Sequence, residues 1–152
     1  MRIVIGITIL FFVFSSCNFN QEELKENGAN MEWPENVVIC VKGKYTSKKH
    51  QLKINVLLKD KLVLFILLNV NDSSLFSSNK PSVSNLHKWG FLLDSNGVVW
   101  IQSSDIGLYK LSNKNSKSFE LNSFGVITKE NYKSIPNGIF EILPHAIKRK
   151  FK

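Results

Sequence analysis

The segment from Leu52 to Val70 constrains the fold more than any other. Leu52, Ile54, Val56 and Leu58 alternate with Lys53, Asn55, Leu57 and Lys59. A period of two puts one set of side chains on one face of a strand, so this stretch reads as a strand with an apolar face turned inward. Lys59-Asp60-Lys61 interrupts the pattern, and Leu62–Val70 then runs almost without a polar residue. A long apolar helix is the competing reading of that second run. Its short length and the polar residues at both ends favour a strand instead. The two strands form a hairpin, with the second one central in its sheet.

The remaining elements follow from similar signals. Asn36–Tyr45 is rich in β-branched residues and reads as a strand. Residues 71–85 are rich in serine and asparagine, carry Pro81 and read as a long loop, either functional or poorly ordered. Lys88–Leu93 and Val98–Gln102 flank Asp94-Ser95-Asn96-Gly97, where Asn-Gly suits the positive backbone angles of a tight hairpin turn. Leu108–Leu111 and Phe119–Ile127 read as further strands, with polar loops at 103–107 and 113–117. Thr128 caps a short helical turn through Lys133. Pro136 and Pro144 then introduce Ile139–Leu143 and His145–Lys152 as short helices. Strands first and helices last describe an α+β domain: mainly an antiparallel sheet of about five to seven strands with short C-terminal helices.

The N-terminus has a different character. Arg2 precedes a short apolar run, Ile3 to Phe14, followed by Ser15-Ser16-Cys17 and a polar, acidic stretch. The run is about a dozen residues, whereas a membrane-spanning helix needs about 20. A basic start, a short apolar middle and a small-residue exit describe a cleaved export signal. Ending at a cysteine, this segment resembles the lipobox signal of bacterial lipoproteins, over residues 1–17 only. That family usually has Leu three residues before the cysteine, where this chain has Phe14. The resemblance implies cleavage between Ser16 and Cys17 and lipidation of the Cys17 thiol. The expected organisation is a signal peptide at 1–16, a lipidated acidic tether at 17–32 and one β-rich domain at 33–152. The expected location is a bacterial cell envelope, with the protein held at a membrane by its lipid, in the periplasm or at the surface.

Charge divides along the same boundary. The 152-residue chain has a formal net charge of +8. Glu22, Glu23, Glu26, Glu32 and Glu35 face Lys25 alone at the start, whereas the domain from residue 36 onward is strongly basic. Apart from Arg2, the only arginine is Arg149. Lysine lacks the planar fork that reads phosphates and base edges bidentately, and export takes the chain away from most nucleic acid, so no nucleic-acid role is expected. The charge suits an acidic protein partner or the anionic membrane surface beside the anchor. With Cys17 lipidated, Cys40 remains as the other cysteine, which removes the option of an intramolecular disulfide. Cys40 reads as a small buried hydrophobe.

No catalytic motif appears. His50, His87 and His145 are far apart and show no zinc spacing, so no metal site is expected; His50 reads as an exposed turn residue. There is no Gly-x-Ser-x-Gly elbow, no phosphate-binding glycine loop and no dinucleotide fingerprint, and no cofactor is expected. The aromatics remain. Trp89, Phe91 and Trp100 fall on the hairpin around Asn96-Gly97, with Trp89 and Phe91 on one face. Core packing is their default role; an exposed face, flanked by Tyr109 and the 71–85 loop, would instead be a binding surface. The functional expectation is a non-enzymatic, membrane-anchored binding module, with an immunity or inhibitor role in view. The alternatives are an envelope enzyme or enzyme subunit acting on cell-wall material, its site assembled from distant residues, and an envelope assembly factor.

Overall fold

The computed structural model describes residues 30–77, 83–115 and 117–151. Among these the chain forms eleven strands in two sheets, more than the five to seven expected. The first sheet contains β1 (Asn30–Glu32), β3 (Gly43–Ser47), β4 (Leu52–Lys59), β5 (Leu62–Asn69) and β6 (Ser74–Ser77) in that spatial order, with β7 (Val83–Ser84) also paired to β5. The second holds β11 (Ser118–Ser123), β10 (Gly107–Asn115), β9 (Val99–Ser103), β8 (Trp89–Leu93) and β2 (Val38–Ile39). All pairings are antiparallel except β1 with β3.

The extra strands come from three segments that sequence alone reads differently. Asn30–Glu32, which the sequence reading assigns to the end of an acidic tether, form β1. The loop at 71–85 contributes β6 and β7, which satisfy the backbone groups on the free side of β5. The single strand expected at Asn36–Tyr45 is two. Val38–Ile39 pairs with β8 in one sheet, and Gly43–Ser47 pairs with β4 in the other. Backbone bonds from Trp33 N to Thr46 O (2.9 Å) and Asn36 N to Leu93 O (2.8 Å) hold the chain as it passes from sheet to sheet.

The β4–β5 hairpin forms as its pattern dictates. Lys59 pairs with Leu62, and Asp60 and Lys61 lie between them with φ of 50° and 64°. Two central residues of positive φ make a type I′ turn, whose twist matches that of the strands. The β8–β9 turn differs from expectation in detail. Only Gly97 has positive φ (79°), and Asp94 organises the loop. Its Oδ1 accepts from the N–H groups of Asn96 (2.9 Å) and Val98 (3.0 Å), and Oδ2 accepts from Trp100 Nε1 (2.9 Å).

The sheets pack face to face. Tyr45, Ile54, Val56, Phe65 and Leu67 from the first meet Trp89, Phe91, Leu93, Val99 and Ile101 from the second in one core. Phe65 and Phe91 meet edge to face at 4.8 Å between ring centroids. A second core lies on the opposite face of the second sheet. There Leu92, Trp100 and Leu108 pack under Ile135, Ile139, Ile142 and Leu143 from the C-terminal layer. That layer comprises a 3-10 turn (Tyr132–Ser134), α1 (Asn137–Ile142) and α2 (His145–Lys148), with Pro136 and Pro144 immediately before the two helices. The second sheet is therefore covered on both faces, and every residue of β8 and β9 is buried, Gln102 and Ser103 included.

Glycines bring α1 this close. A Cβ at Gly90 would lie 2.6 Å from Val38 Cγ1 and 2.8 Å from Ile142 Cδ1; one at Gly138 would lie 2.9 Å from Leu92 Cδ1. No helix among the described residues is long and apolar enough to cross a membrane.

Candidate binding surfaces

The aromatic hairpin takes its default role of core packing, and the alternative binding platform does not form. Trp89, Phe91 and Trp100 are buried, at 4%, 1% and 3% exposure. Trp89, Phe91 and the half-buried Tyr109 face the core between the sheets, whereas Trp100 faces the C-terminal layer. Alternation along the strand puts them on opposite faces, and both faces of this sheet are covered. Lys110 Nζ lies 4.3 Å from the Trp100 ring centre and 4.8 Å from that of Phe124, closing the edge of the second core with a cation–π contact. Ser16 and Cys17 lie outside the described residues.

The polar groups are engaged in tying loops together. Asp105 Oδ1 accepts a hydrogen bond from Ser103 Oγ, and Oδ2 accepts from Ser84 N–H at 3.0 Å. Burial opposes the Asp105 charge, but these bonds and the nearby His87 outweigh it and hold the carboxyl below its ordinary pKa. Serine, aspartate and histidine together invite comparison with a catalytic triad. A triad needs the imidazole between the hydroxyl and the carboxylate. Here Ser103 is fully buried and donates directly to Asp105, so the serine is a support for the carboxylate and not a nucleophile.

His50 is likewise engaged. Its Nε2 lies 2.6 Å from Glu35 Oε1, with the side chain only 14% exposed, which corrects the expectation of an exposed turn residue. The same oxygen is 2.8 Å from Lys49 Nζ. The bonds from Lys49 and His50 hold the Glu35 carboxyl below its ordinary range. This cluster ties the β3–β4 loop to the segment before β2. Cys40 is half-buried, and Tyr45 beside it donates from its hydroxyl to Val41 O at 3.1 Å. Burial, and then the Cys40 charge, push the Tyr45 hydroxyl pKa up. Among the described residues no three His, Cys, Asp or Glu side chains gather closely enough to hold a metal ion. An open cavity of about 280 Å³ beside β1 is lined by Asn30, Met31, Glu32, Thr46 and Lys48; these walls are mostly exposed.

Two surfaces stand apart from these structural ties. The first is the basic exterior of the C-terminal layer, where Lys129, Lys133, Arg149 and Lys150 are exposed. Of its acids, Glu141 lies 3.7 Å from Lys148 Nζ, which also donates to Glu141 O at 2.8 Å. The Glu130 carboxyl is held below its ordinary pKa by the Thr128 hydroxyl. Phe151 stacks on Tyr132 at 5.0 Å, fixing the end of the chain against the 3-10 turn.

The second is the outer face of the first sheet. Val63, Phe65 and Leu67 point into the core, so Leu62, Leu64, Ile66 and Leu68 line the opposite face, beside Leu57 of β4, which is 54% exposed and pairs with Leu64. None of these five belongs to either core or packs against one. Their signal was present in the sequence as the uninterrupted apolar run of β5. Such a run marks a strand covered on both faces, and the described residues cover one.

Compared with family models, curated proteins and solved structures, the chain matches none. What its own geometry defines is a two-sheet sandwich capped on one side by a helical layer.

Proposed function

We propose that this protein is a lipid-anchored, non-enzymatic binding module of a bacterial cell envelope, acting by covering or presenting an acidic protein partner, as an immunity or inhibitor protein would. The observation that carries the reading is the basic exterior of the C-terminal layer. It concentrates exposed Lys129, Lys133, Arg149 and Lys150 on a rigid support. The polar groups that an enzyme would gather are instead bound into loop contacts at Asp94, Asp105 and Glu35. A surface with an excess of positive charge steers an acidic partner and speeds its encounter.

The test is gentle solubilisation of the producing bacterium's membranes and co-purification. The wild-type chain retains an acidic protein in stoichiometric yield. A Lys133→Glu, Arg149→Glu, Lys150→Glu variant with unchanged circular dichroism loses it, and wild-type binding weakens as salt rises. Partner retention by the triple variant would contradict the assignment to this surface. Hydrolysis of cell-wall material by the purified chain, abolished by changing one polar residue, would replace the reading with the enzymatic one.

A further inference from the structure

We propose that the outer face of the first sheet, centred on Leu57, Leu64 and Ile66, rests in the headgroup layer of the same bilayer that holds the lipid on Cys17. The inference rests on the lipid-anchor reading above and adds an orientation to it: one sheet down on lipid, the basic helical layer facing away.

Three observations carry it. The first is the stripe itself. An antiparallel sheet with one solvated face normally alternates apolar inward and polar outward. β4 follows that rule with Lys53, Asn55 and Lys59, but β5 is aliphatic on both faces, and the Leu57–Leu64 pair extends the outward stripe across to β4. A contiguous apolar patch of this kind marks a surface that something covers.

The second is where the chain enters. Asn30, the first described residue, begins β1 at the edge of this same sheet, and its Oδ1 accepts from Thr46 Oγ1 at 2.7 Å. β5 lies three strands away, about 14 Å at the usual strand spacing. About a dozen residues separate Asn30 from Cys17, and a chain of that length reaches at most about 40 Å. An acyl group on Cys17 therefore confines this edge of the sheet to within about a domain's width of the bilayer. The face and the lipid are held together at high effective concentration.

The third is the rim. Lys44 and Lys59 are exposed on the strands beside the stripe, and Lys53 lies 2.8 Å from Asp72. On the other side stand Ser77 and Ser84. Lysine stems lie along apolar surface while their ammonium groups reach headgroup phosphates. Glu32 at the sheet edge, Asp60 in the turn and Asp72 equal these three lysines in number. Aliphatic burial is therefore the main contribution, and dependence on anionic lipid is modest.

The experiment uses the acylated full-length product, purified in detergent and reconstituted into phosphatidylcholine vesicles with and without phosphatidylglycerol. In a Cys40→Ser background, a nitroxide is attached at Leu57→Cys, at Leu64→Cys or, for reference, at the exposed Ala146→Cys of α2. Collision with oxygen and with a water-soluble nickel chelate is then measured. The docked orientation predicts that labels at 57 and 64 lose nickel access several-fold and gain oxygen access, to a similar extent with and without phosphatidylglycerol, while the label at 146 stays water-exposed. Equal nickel access at all three sites overturns the proposal. So does spin–spin broadening at 57, which would mean a second copy covers the face. Loss of nickel access without gain of oxygen in native membranes would assign the face to a protein. Mass spectrometry of the same sample separates the two readings. An acylated chain with water-exposed labels defeats the docking alone. An unacylated chain defeats the anchor, and vesicle flotation of that chain, present or absent, then decides the docking.

Discussion

Gly90 and Gly138 have no side chain to show in a hydrophobic pattern, yet they set the distance between α1 and the second sheet. Gly90→Ala places a methyl where Val38 Cγ1 and Ile142 Cδ1 already stand. Overpacking of this kind costs about 1–3 kcal/mol, read as a lower urea midpoint with unchanged slope. Asp94 is the other residue on which local structure turns. Asp94→Ala leaves the indole N–H of buried Trp100 without its acceptor and is expected to cost about 1–3 kcal/mol. Asp105 gives a pH signature. Its carboxyl is held below the unfolded value of about 3.9, so its stabilisation is whole above that value and is lost as pH falls through the folded value. Asp105→Asn is therefore less stable than wild type above the ordinary carboxylate range, and the gap narrows as pH falls below it. A gap independent of pH would place the effect elsewhere. Sequence reasoning reads Asp94 as a turn residue but has no access to its bond with Trp100, because that contact depends on how the strand after the turn lies. The Glu35–His50 pair is hidden for the same reason, since it joins two loops that only the sandwich brings together.

At the scale of elements, legibility tracks apolar patterning: β10, the longest strand at nine residues, is read only over Leu108–Leu111, because its polar end Asn113–Asn115 reads as a loop. β4 and β5 are eight residues each, and the period-two pattern and the apolar run find both. β1, β6 and β7 are two to four residues long and come from polar or mixed segments; they exist because a longer neighbour offers unpaired backbone groups, whereas β2 lies within the β-branched run that reads as a strand. The helices are legible from Pro136 and Pro144, which stand just before α1 and α2 with φ of −55°. The β4–β5 turn offers a gain in stability. Lys61 holds φ of 64°, a left-handed conformation that costs an L-residue about 1–2 kcal/mol. Lys61→Gly produces an Asp-Gly type I′ turn and is expected to raise stability by roughly 1 kcal/mol, seen as a higher melting temperature.

At the scale of the whole molecule, three layers give the protein two unlike exteriors. The inner sheet is sealed between the sandwich core and the C-terminal layer, so removing residues 136–152 exposes Leu92, Trp100 and Leu108. The truncated chain is expected to bind hydrophobic dyes and to aggregate, whereas a domain whose C-terminal layer were dispensable would stay soluble. The sequence indicates sheets and terminal helices, but not that the aromatic hairpin lies in the middle layer. That burial removes the aromatic platform, so the proposals rest on the aliphatic face of the first sheet and the basic helical layer instead. Both proposals depend on the anchor. The most direct measurement is therefore the mass of the N-terminal peptide of the protein recovered from membranes of its own cells. The lipid anchor predicts a peptide beginning at Cys17 and carrying acyl groups, lost in Cys17→Ser together with membrane retention. An unmodified Cys17, or a Cys17→Ser chain still bearing lipid, would contradict it.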